Sequence, residues 1–364
     1  MEKHTEISEA EPPLKKPKHD MNNKLTETID VCIERIKNSN SNLQAVLSDE
    51  YNQPLPLIKV FVGHIKNVKD ISQTVLVLNE KVPLKELQHL KRVRRQDIIL
   101  CPAIFLSEML SIQDYIESFV PELKDVFDFF KQIDVPLVAP KVKRQYEEVR
   151  WVWSCNFHPN PYLEKLVENQ LFQPHQLKIH RNYMELAFEI AKWYIINKNL
   201  EFSLENLFEN INATVVVDTV KQIVVAVAFD NRQDHPMQHS AMLAIDNVAK
   251  TQNGGAWSSR PQEFPGIPEE VLPYIKEKFP SMKFLPNSCV EEEKDKEGPY
   301  LCTGYYIYML KEPCVMCSMA LVHARAKRIF FTINNDQHGG LKSRSKLQTI
   351  ASLNHHFEVF TDFL

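Results

Sequence analysis

Glycine is scarce in this sequence, with 8 glycines among 364 residues against a usual share of ~7%. No segment fits GxGxxG or GxxxxGK[ST], so the common glycine loops that hold nucleotide phosphates are missing. Apolar runs are also short: the longest spans residues 223–229, far below the ~20 residues that cross a bilayer. The first residues contain no apolar segment of the kind found in secretory signals. We therefore expect a soluble, non-secreted protein with no membrane partner.

There is no excess of basic residues either. The 43 Lys and Arg against 47 Asp and Glu give a formal net charge of -4, so a nucleic-acid partner requires a local basic patch. The seven cysteines are an odd number in a long chain. That number does not suit a disulfide framework and suits reduced thiols, some of them as metal ligands, in the cytosol or nucleus.

Composition and hydrophobic periodicity divide the chain into five predicted segments. The first has little apolar content and too little burial to offset ordering entropy. Its Lys15–Lys18 cluster is either a nuclear-import signal, which predicts localisation to nucleus and cytoplasm, or an ordinary solvated cluster. In order, the segments are a flexible tail (1–22), a helix and linker (23–54), an α+β domain (55–145), an aromatic-rich connector (146–174) and a second domain (175–364).

Both domains show alternating strand-like and helix-like patterns. In the first domain we predict strands over 57–64, 74–78, 97–105 and 135–138, and helices over 84–90 and 121–133. In the second we predict a helix over 176–197 and a hairpin formed by 213–220 and 223–229. A helical pattern then begins near His239, and a second begins after Pro313.

Three residues of the second domain have the spacing of a metal site. Cys314 and Cys317 form a Cys-x-x-Cys pair at a predicted helix start, and His239 lies 75 residues earlier at the start of another helix. Two thiolates and one imidazole suit tetrahedral Zn²⁺ with a fourth position free. The order also matches H-x-E…P-C-x-x-C, the pattern of zinc nucleobase deaminases. We therefore predict a Zn²⁺ site at these three residues.

One position departs from that pattern. Where the pattern has Glu, two residues after the ligand His, this chain has Ala241. The Glu moves protons to and from the reacting base, and an acid–base group of this kind contributes typically ~10²–10⁴-fold in rate. A methyl group transfers no proton. The sequence therefore predicts a metal site without a catalytic residue.

The second domain resembles the tRNA adenosine deaminases. The resemblance is carried by His239 with residues 313–317, by the following 319–323, by the strand 327–332, by the glycine-containing 339–344 and by 353–357. The missing Glu and the long N-terminal extension, with LQHLKRVRR at 87–95 and LVAPK at 137–141, resemble the non-catalytic subunit of the eukaryotic heterodimeric enzyme. That enzyme converts wobble adenosine to inosine in tRNA anticodons.

The resemblance implies a fold, a cofactor and two partners. The expected fold is α/β, a cytidine-deaminase-like mixed five-stranded sheet flanked by helices, preceded by a smaller α+β domain. Zn²⁺ is the expected cofactor, tRNA is the expected ligand, and a Glu-bearing catalytic deaminase subunit is the expected heterodimer partner. Residues 242–250 and 318–325 are candidates for the subunit contact. Glu312, in an E-P-C setting normal for active deaminases, is expected to be structural.

A basic stretch in the first domain is the main candidate for tRNA binding. Between residues 81 and 100 six cations face only Glu86 and Asp97, which suits a phosphate-backbone contact; a solvated helix end is the alternative. In the second domain the basic residues after Gly339-Gly340 are further candidates, and Asn231 is a candidate for the base pocket. The predicted tRNA-binding residues are Lys81, Lys85, Lys91, Arg92, Arg94, Arg95, Lys342 and Arg344.

Other interpretations stay open at this point. The chain is alternatively an RNA-binding protein with a structural zinc site, or an autonomous nucleoside deaminase with another base. A scaffold without an RNA role is a third alternative. The fourth zinc position is open to water or, since the sequence ends at Leu364, to a terminal carboxylate.

Overall fold

The computed structural model describes residues 18–106, 111–198, 207–257, 262–287 and 301–364. The chain forms two compact units. The large unit contains the residues up to Leu47 and those from Phe172 to Leu364, and the small unit is Ser48–Leu171. Among the described residues, no helix is long and apolar enough to cross a membrane. Lys15, Lys16 and Pro17 of the basic cluster lie outside the described residues.

Both units contain helices and strands. Up to the end of the small unit they are α1 (Lys18–Asn38), β1 (Gln44–Ala45), β2 (Leu57–Ile65), α2 (Ile71–Lys81), β3 (Val93–Arg94), β4 (Asp97–Pro102), α3 (Ile112–Phe119), β5 (Phe127–Pro136), α4 (Lys143–Val149) and α5 (Pro161–Val167). The large unit continues with α6 (Pro174–Asn197), α7 (Leu207–Asn210), β6 (Ala213–Asp218), β7 (Ile223–Phe229), α8 (Ser240–Thr251), α9 (Leu272–Lys278), β8 (Lys283–Phe284), β9 (Tyr306–Lys311), α10 (Val315–His323), β10 (Arg328–Ile333) and β11 (Glu358–Thr361).

The large unit is built on a mixed sheet with the order β1-β11-β10-β9-β6-β7-β8. Its five longer strands are those of the predicted deaminase-like sheet, and the two-residue strands β1 and β8 are added at the edges. The predicted hairpin β6–β7 is confirmed as antiparallel, although its connection is the four residues 219–222 rather than the predicted two. Strands β9, β10 and β11 run parallel to one another. Strand β6 is antiparallel to both β7 and β9, so β7 runs in the same direction as β9.

Helices cover both faces of this sheet. Helices α8 and α10 pack on one face against side chains such as Val216, Met309 and Phe331. On the other face lies α6, which α1 covers in turn through a buried stripe with helical spacing. That stripe is formed by Leu25, Ile29, Ile33 and Ile36. The apolar spacing predicts helix α1, and the structure places α1 in the large unit.

A buried histidine lies between α6 and the sheet. The His180 ring stacks on Phe330, and its Nδ1 is 2.8 Å from the Tyr308 hydroxyl. Burial, with a smaller contribution from Arg328, lowers the pKa of His180 to about 3. The imidazole is therefore neutral in the folded protein over the physiological pH range.

This histidine predicts a pH dependence of stability. An unfolded histidine takes up a proton near pH ~6.5, whereas folded His180 does so only near 3. His180 therefore contributes its full stability above pH ~6.5 and loses it as the pH falls, by up to ~1.4 kcal/mol per pH unit. We expect the free energy of unfolding of His180→Gln to fall less steeply below pH ~6.5 than that of the wild type. Denaturant titrations from neutral to acid pH measure this, with exposed His323→Gln as the control; equal slopes for the wild type and His180→Gln would contradict it.

The small unit is a four-stranded antiparallel sheet with the order β3-β4-β2-β5. The connectivity from β2 through α2, β3, β4 and α3 to β5 is the ferredoxin-like β-α-β-β-α-β arrangement. Helices α2 and α3 pack on one face against Ile65, Leu100 and Phe127. The other face is covered at one end only, where Val62 and its neighbours contact residues 84–90, α4 and Trp153.

Three predicted elements of the small unit are wrong. Residues 74–78, a β-branched run predicted as a strand, lie within α2 because Thr74, Val77 and Leu78 form one buried helical face. Residues 84–90 are turns rather than a helix. Residues 121–133, predicted as a helix, contain a single 3₁₀ turn followed by β5, which pairs with β2 along its whole length.

Two segment predictions also differ from the structure. Of the predicted tail, residues 18–22 already belong to α1, and 1–17 lie outside the described residues. Most of the predicted connector belongs to the small unit, where Trp153 is fully buried and donates a hydrogen bond to the Lys91 carbonyl. A tryptophan buried in this way makes the segment part of the core.

Candidate metal centre

The site forms where three parallel strands end. Strands β7, β9 and β10 are followed at their carboxyl ends by residues 230–239, 312–314 and 334–344, and helices α8 and α10 begin at the same edge. Ligands in open α/β sheets bind outside the carboxyl ends of the strands, where loops and helix N-termini converge. The topology therefore brings together residues that are 75 positions apart in the sequence.

His239, Cys314 and Cys317 come together as the spacing predicts. His239 and Cys314 are the N-cap residues of α8 and α10, and Cys317 lies in the first turn of α10. Their donor atoms all lie within 4.8 Å of one another, and the Cys314 Sγ is 3.8 Å from the His239 Nδ1. Tetrahedral zinc with bonds of about 2.0–2.3 Å separates its donor atoms by about 3.5 Å. The cluster fits one such ion.

The protonation of the two thiols also suits a metal. The hydrogen bond from the Cys317 thiol, together with the weaker one from His239, lowers the pKa of Cys314 to about 4 against the effect of burial. The same bond and the burial of Cys317 raise the pKa of that second thiol. A cation bound at these two sulfurs would displace the thiol protons.

A cavity of about 610 Å³ opens beside these ligands. Ala241, in the first turn of α8, lines it and is 2% exposed. The methyl group therefore faces the position where a deaminase requires a proton-transferring carboxylate. Among the residues that line this cavity, the carboxylates are Glu209, Asp230 and Glu312.

The carboxylate of Glu312 is fully engaged in hydrogen bonds to a neighbouring loop. Its carboxylate is 1% exposed and accepts hydrogen bonds from the backbone N–H groups of Asn335, Leu341, Lys342 and Ser343, and from the Ser343 hydroxyl. These bonds hold the loop after β10 against the short connection between β9 and α10. Gly339 makes the approach possible, because a Cβ there would lie 2.3 Å from the carboxylate. The structural role predicted for Glu312 follows from these bonds.

Of the other two carboxylates that line the cavity, Asp230 is hydrogen-bonded and Glu209 is exposed. Asp230 accepts a hydrogen bond from the Arg232 Nε at 2.7 Å. Burial raises the pKa of Asp230, and Arg232 opposes that rise. Glu209 lies on the exposed rim in the short helix α7. Within the described part of the cavity, no buried carboxylate is left unpaired to replace the one missing at Ala241.

Three further predictions for this region have different outcomes. Arg344 lines the cavity, whereas Lys342 does not and contributes its backbone N–H to Glu312. The Asn231 side chain donates to the Gln238 side chain and lies in an adjacent cavity. Phe363 is buried against Phe330 on the sheet face that α6 covers, and Leu364 is 47% exposed. That a terminal carboxylate closes the fourth coordination position stays a prediction.

The basic stretch of the small unit is only partly available for RNA. Lys85, Lys91 and Arg95 are exposed, and no side-chain partner is found for them within the described ranges. Lys81 pairs with Glu122, and Arg94 donates to the Trp151 carbonyl at 3.0 Å. These five residues stay candidates for RNA contact.

Arg92 has to be removed from that set. Its guanidinium is buried and donates to the Asn79 side chain and to four backbone carbonyls, those of Leu78, Val82, Ile99 and Leu100. Burial lowers the pKa of Arg92 to about 10. The prediction failed because charge patterning does not distinguish an exposed cation from one that joins a helix end to a strand.

This difference predicts opposite effects for two neighbouring arginines. We expect Arg92→Met to lower the free energy of unfolding of the small unit by about 2–3 kcal/mol, because buried carbonyls lose their donors. Exposed Arg95→Met should change it by less than ~0.5 kcal/mol and should instead reduce the salt dependence of RNA binding. Denaturant unfolding compares the two variants, and equal stabilities would contradict the assignment.

Sequence reasoning missed several polar residues of the cavity. Asp230, Arg232 and Lys311 line it, as do Asn212 and His338. The available signal was positional: Asp230 and Arg232 follow β7, and Lys311 ends β9, at the sheet edge that also carries the metal ligands. Without the strand order, that shared edge was not apparent.

Comparisons with known proteins agree with this geometry. Residues 178–333 match the family model of the cytidine and deoxycytidylate deaminase zinc-binding region, and residues 58–153 match that of the tRNA-specific adenosine deaminase TAD3 N-terminal domain. The chain is 32% identical to a probable inactive tRNA-specific adenosine deaminase-like protein 3 of Danio rerio, over 86% of this chain and 89% of that protein. It is 27% identical to the Homo sapiens protein of the same name, over 88% of each. It is 25% identical to tRNA-specific adenosine deaminase TAD3 of Arabidopsis thaliana, over 84% of this chain and 91% of that protein.

Both units and the metal-ligand cluster are therefore accounted for by one group of proteins. The identity to the Danio rerio protein extends across nearly the whole of both chains, and the two family models cover the two units separately. This chain belongs to the TAD3 family of tRNA-specific adenosine deaminase-like proteins.

Proposed function

We propose that this chain is the catalytically silent subunit of a tRNA adenosine deaminase complex that converts wobble adenosine to inosine. Relatives are named as subunits of tRNA-specific adenosine deaminases or as probable inactive forms. Ala241 carries the proposal: it lines the cavity beside an intact ligand cluster, and the carboxylates around it are paired or exposed. A deaminase without its proton-transferring group requires a second subunit for the chemistry.

Zinc is the cofactor that the ligand set fits. In active zinc deaminases the ion activates water and a Glu moves the protons. Here His239, Cys314 and Cys317 would hold the ion between the first turns of α8 and α10, beside a methyl group. The ligands thus serve to join two helices, and the cavity they border keeps its shape without performing the reaction.

Helices α8 and α10 are the proposed contact with the catalytic subunit. They lie side by side, and several of their apolar side chains are only partly buried by this chain, including Met242, Ile245 and Met319. Val315 is 47% exposed at the start of α10. A second deaminase domain packing there would cover these positions and place its own site beside this cavity.

The exposed cations of the small unit are the proposed tRNA contacts. The whole chain has a net charge of -4, yet Lys85, Lys91 and Arg95 form a local group of exposed positive charges. Phosphate contacts of this kind set affinity and salt dependence without reading sequence. The chain would thereby hold the tRNA while the partner modifies the base.

Inosine formation on a tRNA with adenosine at the wobble position tests the proposal. Three preparations are compared: this chain alone, the Glu-bearing partner alone, and both together. We expect activity in the mixture only. Activity from this chain alone would mean an autonomous deaminase with another base, and RNA binding without activity in the mixture would mean an RNA-binding protein with a structural metal site.

A further inference from the structure

One end of the small unit's sheet carries a row of side chains that crosses all four strands. Arg94 of β3 pairs with Asp97 of β4, Asp97 pairs with His64 of β2, and His64 pairs with Phe129 of β5. These four residues, the end row, lie on the face opposite α2 and α3. That face is otherwise covered by residues 84–90, α4 and Trp153, which contact the other end of the strands.

The end row contains an exposed aromatic stack. The His64 and Phe129 rings are parallel within 10° and their centroids are 4.9 Å apart. Phe129, near the start of β5, is 50% exposed, whereas Val135 on the same face near the other end of the strand is buried. Half of the Phe129 side chain is therefore exposed to solvent while its ring stacks on His64.

Among the end-row residues and the neighbouring Lys131, two cations face one carboxylate. The single carboxylate of the end row, Asp97, is paired with the His64 Nδ1 at 2.7 Å and with the Lys131 Nζ at 2.6 Å. Lys131 also lies 5.9 Å from the centre of the Phe129 ring. At the opposite end of the row, Arg94 contacts the backbone of Trp151, which is 70% exposed and has the Arg150 guanidinium 4.5 Å from its ring. Aromatic faces thus alternate with cations along the surface.

We propose that the end row binds an unpaired nucleobase of the RNA substrate by stacking on Phe129, with Lys131 contacting the flanking phosphate. One RNA-recognition module, the RRM, binds single-stranded RNA through aromatic residues on the face of a four-stranded sheet. Base stacking on an aromatic side chain tolerates any base, because every base has a π-face. The inference rests on the proposed tRNA-binding function. It adds a base-stacking contact, which basic residues alone cannot provide.

The test compares two exposed phenylalanines of the same unit. Phe129→Ala removes the stack, and Phe119→Ala, at the end of α3 and 53% exposed, is the matched control. Both variants are measured as full chains in complex with the Glu-bearing subunit, on tRNA with wobble adenosine at several salt concentrations. We expect Phe129→Ala to weaken binding roughly 5- to 100-fold with an unchanged salt slope, Phe129→Trp to retain affinity, and Phe119→Ala to bind as the wild type does.

A second measurement locates the contact directly. Ultraviolet cross-linking of the wild-type complex to tRNA, followed by mass spectrometry, should recover a nucleotide on the peptide that contains Phe129. If Phe129→Ala binds tRNA as Phe119→Ala does, the inference is wrong while the proposed function stands. If the wild-type complex binds no tRNA, the proposed tRNA-binding function is wrong, and so is the inference that rests on it. If Phe129→Ala weakens assembly with the partner in the absence of RNA, the end row is a protein interface and the inference is overturned.

Discussion

Replacing Cys317 with alanine is expected to abolish zinc binding and to destabilise the large unit. Cys317 is 2% exposed in the first turn of α10, and its sulfur is one of three donors within 4.8 Å. Two remaining ligands from two helix starts do not hold zinc tightly, and folding free energy that depends on the metal is lost with it. We expect the free energy of unfolding to fall by well over ~3 kcal/mol.

Cys302 provides the matched control. It is fully buried in the same hydrophobic cluster as Cys317 and lies outside the ligand set. Cys302→Ala should keep one zinc per chain and lose only the stability of a small core truncation. Atomic emission spectrometry measures the metal, and denaturant titration measures the stability. Stoichiometric zinc in Cys317→Ala, or none in the wild type, would contradict the ligand assignment.

Replacing Glu312 with glutamine has the second-largest expected effect. The carboxylate accepts from four backbone N–H groups and one hydroxyl while 1% exposed. A glutamine of the same shape removes the charge and turns an NH₂ donor toward N–H donors. We expect a loss of about 3–5 kcal/mol in the free energy of unfolding, and faster proteolysis within residues 334–344.

An exposed glutamate separates this effect from loss of charge alone. Glu269 is exposed in the large unit, so Glu269→Gln should change stability by less than ~0.5 kcal/mol. Chemical denaturation of the two variants measures the difference. If Glu312→Gln were as stable as Glu269→Gln, Glu312 would not be anchoring the loop and would again be available as a substitute acid near Ala241.

The metal ligands were predictable because their chemistry constrains their spacing. A Cys-x-x-Cys pair places two sulfurs on one side of a helical turn, so Cys314 and Cys317 indicated a site before any strand was placed. Long helices with a regular apolar stripe, such as α1 and α6, were predictable for the same kind of reason. Both signals are local and do not depend on how distant segments pack.

The failures arose where tertiary packing decides the outcome. Residues 74–78 are rich in β-branched residues, yet they form a helix because that face packs on the small sheet. Within the predicted helix 121–133, the residues from Phe127 onward belong to β5 and pair with β2, a contact between segments more than sixty positions apart. Arg92 resembles its exposed neighbours in sequence, and only the positions of α2 and β4 make it a buried donor. No local pattern carries this information.

The measurement that tests the central claim most directly uses a disabled partner. This chain, unaltered, is combined with the catalytic subunit in which the proton-transferring Glu is replaced by Ala, and inosine is quantified on tRNA with wobble adenosine. Because Ala241 transfers no proton and the nearby carboxylates are paired or exposed, the account predicts a loss of at least ~10²–10⁴-fold relative to the complex with an intact partner. Inosine formed at a rate close to that of the intact complex would show that this chain performs the chemistry, and would contradict the account.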